Sequence, residues 1–274
     1  MRTNRLWSTI QYLLLGVLAV AVLYPVLYAF LTAFMTQKEA MSYPPALVPH
    51  QLYFDNFAAV IQAVPIGRFM WNSLLISIAI TVGHLVLGSL SAYAFANIRF
   101  AGKPFWFALF LSTMMIPWEV TMIPNYLTVR AWGWLDTYPG MIVPFLASAF
   151  GTFLLRQFFL QLPNELYEAA RIDGCGHWRC YALIVLPLAR PALATLAVYS
   201  FLHAWNQYMW PLLVTNSPQM RTVQIGVSMM QSEEFTSWSA VLAGVVLILL
   251  PSLILLVLGL KQLVRGMTAG AVKG

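Results

Sequence analysis

Residues Asn164–Pro187 read NELYEAARIDGCGHWRCYALIVLP. The stretch gathers Glu165, Glu168, Arg171, Asp173, His177 and Arg179, while the sequence on both sides is almost uniformly apolar. So many charges cannot be left in hydrocarbon, where nothing hydrates them. The stretch is therefore expected to be a loop in water. Inside it the residues predict a short helix. Asn164 follows Pro163 and suits an N-cap. Glu165 and Glu168 fall in the first turn, where the helix dipole favours negative charge, and Gly174 suits a left-handed stop. Such a helix is about nine residues, or about 13 Å, long, and is marginal alone in water. It must rest on its own protein or on another chain, and spacing alone leaves both open.

Composition points to the same setting. Of 274 residues, 60% are hydrophobic and 9% charged, against about 25% charged in soluble domains. That excludes a soluble enzyme and predicts one transmembrane domain over residues 1–274. The net charge of +6 is spread over segments flanking apolar runs, so it is no nucleic-acid footprint.

The apolar runs predict an all-α membrane fold with six transmembrane helices. The first span covers about 10–35, after Arg2 and Arg5. Its length and the lack of a small-residue cleavage site argue against a cleaved signal peptide. Pro25 is expected to kink it or mark its outer part. Residues 36–69 are polar and rich in proline, and read as an extended loop followed by a short interfacial helix. The core spans, between about 70 and 260, cover 70–96, 105–128, 138–155, 188–214 and 238–260, each near or above the ~20 residues a crossing needs. Gly83, Gly88, Ser89, Ser91 and Ala92 in the second allow close helix approach. Pro117 and Pro124 are expected to break the third. With the N-terminus inside, eleven of the 15 Lys and Arg residues fall on the inner side, and Lys38, Arg68, Arg130 and Arg221 on the outer. This bias places both termini and the polar loop, 161–187, in the cytoplasm. Trp132, Trp134, Tyr138 and Trp210 read as an outer aromatic belt.

The run Glu168-Ala169-Ala170, three residues, Gly174, nine residues, Ile184, one residue, Leu186-Pro187 resembles the EAA loop of bacterial ABC importer permeases, and every fixed position matches. The resemblance implies the type I importer permease fold, places 36–69 outside, and makes the short helix a coupling helix seated in a groove of a cytoplasmic ATPase. ATPase coupling is then implied for Glu165, Glu168, Ala169, Ala170, Arg171, Asp173 and Gly174, with Pro187 starting the next span. LRQFFLQLPNELYEAARIDG (155–174) and WNQYMWPLL (205–213) resemble the MalG-like permeases of carbohydrate importers, nearest in kind to the second permease of glycerol-3-phosphate importers. The partners implied are a second homologous permease, two ATPase subunits, an extracytoplasmic solute-binding protein and membrane lipid. Nucleic acid is not among them. No G-x-x-x-x-G-K-[ST] loop occurs, so ATP is expected on the ATPase and no cofactor on this chain.

Within the spans the polar candidates are Glu119, His84, His203, Asn206 and Gln207. Glu119 is either a wall of the translocation path or a carboxylate at the outer mouth paired with Arg130 or Arg68. His84 reads as a helix-to-helix hydrogen bond rather than a proton relay. Trp205, Asn206, Gln207 and Tyr208 offer rings and amides suited to a polyol or sugar, or else an interfacial belt. Cys175, His177 and Cys180 lack a fourth nearby metal ligand, and a disulfide is not expected in the cytoplasm. An ion-coupled secondary transporter or a membrane enzyme remain rival classes, but no catalytic constellation is visible. The expected solute is glycerol-3-phosphate or a glycerophosphodiester, ahead of a neutral oligosaccharide.

Overall fold

The computed structural model describes residues 5–230 and 237–268, with side chains for 7–230 and 237–260. Arg2 and Lys273 lie outside the described residues, as does the last of the basic tail. All regular structure among the described residues is helical. In chain order the helices begin with α1 (Arg5–Thr32), α2 (Gln37–Ala40), α3 (Asp55–Ala63), α4 (Ile66–Asn97) and α5 (Lys103–Ser112). There follow α6 (Trp118–Ala131), α7 (Tyr138–Ile142), α8 (Ala149–Phe159), α9 (Asn164–Ile172) and α10 (His177–Cys180). The rest are α11 (Leu186–Leu188), α12 (Arg190–Trp205), α13 (Met209–Val214), α14 (Val223–Met230) and α15 (Trp238–Thr268).

The chain divides into two compact units: 1–67 with 226–250, and 68–225 with 251–274. In the first, α1 runs unbroken through Pro25. Its apolar sides, including Leu13, Leu18 and Val22, are exposed, as for a helix whose neighbour is lipid or another chain. The polar segment after it runs as a loop into the short helix α3, as expected, but opens with a further single turn, α2. Thr36 and Glu39 form a capping box at the start of α2. Buried Asn56 donates from Nδ2 to the carbonyls of Ala33 and Met35, both at 2.8 Å, and so anchors α3 beneath the end of α1.

The second unit is built on α4, whose 32 residues reach about 48 Å at 1.5 Å per residue. Gly83 lets Leu146 sit against its backbone, where a Cβ would meet the Leu146 side chain at 2.6 Å. The small-residue face thus serves the close approach expected of it. Among the described residues, three helices are long and apolar enough to cross a membrane unbroken: Trp7–Thr32, Ile66–Asn97 and Trp238–Leu260. Three bent pairs bring the number to six if each pair is one span.

The third span breaks at Pro117 as expected, turning 95° between Lys103–Met115 and Trp118–Ala131; Pro124, expected to break it too, stays inside α6, since a membrane helix tolerates the loss of one backbone N–H donor. The other two differ from the continuous runs the sequence suggested. The fourth bends 43° between Tyr138–Phe145 and Ala149–Phe159. The fifth does not start at Leu188: His177–Leu188 is already helical, and the chain turns 76° before Arg190–Trp205. A π turn at Tyr181–Val185 precedes Pro187, which has no N–H to donate and whose ring clashes with the preceding turn. Pro191 repeats the problem four residues on.

Two buried clusters organise this unit. One joins Ala92, Leu155, Phe159, Ala170, Cys180, Val185 and Leu196 and underlies α9. The other joins Ile76, Ile80, Val129, Met141, Ala204, Trp210 and Val214 and underlies a cavity at the helix breaks.

Candidate functional site

The short polar helix forms where the sequence places it, at Asn164–Ile172, but its start differs. Pro163 takes the N-cap position with an extended ψ of 136°, and no side chain caps the helix. Asn164 is the first helical residue, because proline's fixed φ and missing N–H already suit that junction. The stop is as expected. Gly174 has φ +73°, its N–H reaches the Arg171 carbonyl at 3.0 Å, and the Cys175 N–H reaches that of Ala170 at 2.8 Å. This pair of bonds is a Schellman motif.

One face of α9 rests on its own protein. Ala170 is buried and Tyr167 packs beside it. Glu165, Glu168, Ala169, Arg171 and Asp173 are exposed. Ile172 is 87% exposed and Trp178 74%, so apolar surface here lacks a cover among the described residues. Tyr93, Tyr181 and His177 tie the loop to α4: Tyr93 stacks edge-on to Tyr181 at 5.3 Å, and Ser89 Oγ lies 2.7 Å from the Tyr181 hydroxyl.

A cavity of about 810 Å³ opens where three stretches of backbone leave the helix. Trp118 and Glu119 reach it from the first turn of α6, just past Pro117. Phe145 comes from the 3-10 turn after α7, and Asn206, Gln207 and Tyr208 from the break between α12 and α13. Non-helical backbone is tolerated at membrane depth only inside protein or beside a water-filled cavity, so breaks and cavity account for each other. Trp118, Phe145 and Trp210 form one wall, with ring centroids 4.8–5.8 Å apart. Trp210 is buried and donates from Nε1 to the Gly140 carbonyl at 3.1 Å. It is thus part of this wall and not of an outer belt. Tyr199 and His203, stacked at 6.0 Å, line another side.

Glu119 therefore meets Asn206, Gln207 and Tyr208, distant from it in sequence, in one cavity. Trp205 does not join them. It is 2% exposed and stacks on Phe201 at 5.6 Å, because positions four apart share a helix face and Phe201 faces the core. Tyr199 and His203 show the same spacing toward the cavity, a signal that could have identified them. Asn206 commits its Nδ2 to the Leu202 carbonyl at 2.8 Å, closing the end of α12. Arg68 donates from Nε to the Gln219 carbonyl at 3.1 Å, and Glu119 forms no ion pair among the described residues. Its place in a first helical turn suits its charge.

His84 is the expected tie between helices. Its Nε2 lies 2.7 Å from the Phe145 carbonyl and its Nδ1 2.8 Å from Ser200 Oγ. A carbonyl only accepts, so Nε2 carries the proton and Nδ1 accepts from the hydroxyl. The ring thereby satisfies a carbonyl at the break beside the cavity.

At the opposite end of α4, Asn72 holds residues 219–221, donating to the carbonyls of Gln219 and Arg221 at 2.8 and 2.9 Å and accepting from the Tyr138 hydroxyl at 2.8 Å. Asp136, at φ 60°, accepts from the backbone N–H groups of Asn216 and Ser217, both at 3.0 Å. Its slight burial would raise its pKa, but hydrogen bonds from Ser217 and Asn216, with Arg221 nearby, hold it below the ordinary aspartate value.

Residues 55–268 match the family described as "Binding-protein-dependent transport system inner membrane component". The sn-glycerol-3-phosphate transport system permease protein UgpE of Brucella melitensis biotype 1 is 37% identical over 264 residues, 93% of each chain. That of Yersinia enterocolitica serotype O:8 / biotype 1B is 38% identical over 263 residues, again 93% of each. A solved chain of a bacterial ABC transporter involved in the import of the acidic polysaccharide alginate superposes with a TM-score of 0.83 at 25% identity, covering 95% of this chain and 98% of that one. A chain of a bacterial alginate ABC transporter in complex with alginate pentasaccharide-bound periplasmic protein shares the fold, with a TM-score of 0.66 at 17% identity over 98% of this chain and 99% of that one. The helical membrane fold and the matched residues lead to one conclusion: the chain belongs to the inner-membrane components of binding-protein-dependent transport systems, a multi-pass permease subunit of an ABC importer and not an enzyme.

Proposed function

We propose that this permease forms one half of the path for a small polyol phosphate, glycerol-3-phosphate or a glycerophosphodiester, and that the path runs through the cavity at the helix breaks. The observation that carries the reading is that cavity. Glu119, Gln207 and Tyr208 meet there against the rings of Trp118, Phe145 and Trp210. Rings can cover a solute's apolar faces while the amide and carboxylate bond its hydroxyls. Among the described residues no Lys or Arg lines the cavity, so a phosphate would be guided by exposed Arg68 and Arg130 and not held within, which suits a path that must release its cargo. The names of the relatives support this solute class. The ring wall, with the likeness to an alginate transporter, supports a saccharide as the second reading.

A homologous permease would supply the other half of the path, a solute-binding protein would deliver cargo from outside, and two ATPase subunits would bind ATP. The Lys and Arg bias supports a cytoplasmic placement of both termini and α9. There Glu165, Glu168, Ala169, Arg171 and Asp173, with exposed Ile172, would meet the ATPase. Ala170 would hold the helix on its platform and Gly174 would end it.

Uptake into proteoliposomes carrying the assembled transporter tests the solute class. Glycerol-3-phosphate uptake should fall with Arg130→Ala and weaken with salt, since exposed charges are screened over about 8–10 Å at physiological ionic strength. Uptake of a neutral di- or trisaccharide without competition from glycerol-3-phosphate or its diesters would reject the phosphate reading and leave the permease assignment standing.

A further inference from the structure

A second cavity, of about 460 Å³, lies at the shoulder of α9. Arg99, Lys103 and Arg171 line it with Tyr93, Tyr167 and His177, and among the described residues Glu168 is its one acidic wall residue. Two of the basic groups at this corner are already engaged. Lys103 Nζ donates to the carbonyls of Ala96 and Ile98 at 3.0 and 3.1 Å. Arg156, just behind, donates from Nε to the Phe95 carbonyl at 3.1 Å and covers the Phe107 ring at 4.0 Å. Both cap the end of α4, where cations are favoured. The guanidinium groups of Arg99 and Arg171 make no hydrogen bond or ion pair among the described residues, so two positive charges face a cavity with one carboxylate.

Beside it runs an open apolar groove of about 500 Å³, formed by Phe95, Phe100, Trp106, Leu109, Phe110 and Thr113. Cavity and groove share one corner. Phe95 and Ala96 are neighbours on α4, Arg99 and Phe100 are neighbours in the turn, and Lys103 and Trp106 lie one turn apart on α5. In each pair one residue lines the groove and the other the cavity. A ligand that fits both has an anionic head and an apolar tail, and it would meet this corner at the end of a membrane span. Basic pockets between transmembrane helices bind anionic lipid headgroups by the same complementarity.

We propose that the α4–α5 corner binds an anionic phospholipid, its phosphate between Arg99 and Arg171 and an acyl chain along the aromatic groove. An acidic segment of a partner protein could use the cations but would leave the groove empty. Because Arg171 belongs to α9, the bound headgroup would brace the helix that faces the ATPase, and transport would respond to the anionic lipid content of the membrane. The proposal rests on the membrane placement of the chain, not on the solute.

The test is native mass spectrometry of the assembled transporter titrated with phosphatidylglycerol or phosphatidylcholine. Wild type should retain one phosphatidylglycerol in preference to phosphatidylcholine. Arg99→Gln should weaken that retention about five-fold, the effect of one basic group beside an anionic surface, and Arg99→Lys should keep it. Trp106→Ala should weaken both lipids, and millimolar inorganic phosphate should displace neither. Equal retention of the two lipids by wild type, or unchanged retention in both Arg99→Gln and Trp106→Ala, would overturn the proposal. So would loss of the ATPase subunits from Arg99→Gln with lipid retention intact, which would assign the cavity to a protein contact. Should the variants fail to assemble, wild type decides: displacement of phosphatidylglycerol by its deacylated headgroup as readily as by the whole lipid would overturn it, and resistance to the headgroup would support it. Each readout is independent of which solute is transported.

Discussion

Replacing Gly174 by alanine adds one methyl group at φ +73°, and no neighbouring atom lies within 4 Å of the new position. The cost is therefore that of the left-handed backbone alone, about 1–2 kcal/mol for an L-residue. This is small beside the roughly 5–15 kcal/mol that stabilises a folded protein, so the variant should insert and assemble. The cost instead falls on the last turn of α9, a nine-residue helix that is marginal by itself. The bonds from Gly174 N–H to Arg171 and from Cys175 N–H to Ala170 both depend on that φ. If the ordered helix transmits closure of the ATPase, its competent population should fall about 5- to 30-fold. The assay is ATP hydrolysis by the reconstituted complex, stimulated by the loaded binding protein. Gly174→Ala should lower stimulation within that range and Gly174→Leu at least as much. Gly174→Asn should retain most of it, since asparagine tolerates the left-handed region. Wild-type stimulation in Gly174→Ala, or Gly174→Asn as poor as alanine, would refute the backbone argument.

Three further perturbations follow from the geometry. Glu119→Ala should reduce uptake more than it reduces recovery of the assembled complex, because Glu119 lines the cavity and pairs with neither Arg68 nor Arg130; equal losses by both measures would mark it as structural. His84→Ala strands the Phe145 carbonyl and the Ser200 hydroxyl, each at a cost of about 1–3 kcal/mol, so its melting temperature should fall while a cavity-wall variant such as Gln207→Ala leaves it near wild type; an unchanged melting temperature would count against the tie. The clamp from Asp136 to Asn216 and Ser217 rests on a carboxyl whose pKa is lowered by folding, so it is intact above about pH 4, the unfolded aspartate value, and is lost as pH falls through the lower folded value. Hydrogen exchange at those two amides, corrected for its intrinsic pH dependence, should show protection vanish only below that point and be absent at all pH in Asp136→Ala.

What could be read from the sequence followed the strength of the local chemistry. The EAA spacing and Gly174 located α9 almost to the residue, since charge, dipole and the left-handed stop all act locally. Pro117 announced its break for the same reason. The turn at Ala189 is hidden because Pro187 suits the start of a span, whereas the π turn at Tyr181–Val185 carries the helix up to it. In the WN segment, adjacency in sequence is not adjacency in space. Helical geometry sends Trp205 to the core beside Phe201 and brings Tyr199 and His203 to the cavity. Phe145 joined the site only through the fold, since the bend between α7 and α8 and the bond from His84 bring it there.

Passage of solute through the cavity where Glu119 and Gln207 meet is the proposal on which the rest depends. It is tested most directly by uptake through Gln207→Cys before and after reaction with a methanethiosulfonate, in a background with Cys175→Ser and Cys180→Ser. The variant should assemble normally, support ATP-dependent uptake before the reaction and lose it once the new thiol is modified, with excess solute slowing the modification. Uptake at the unmodified rate through fully labelled transporter would contradict it.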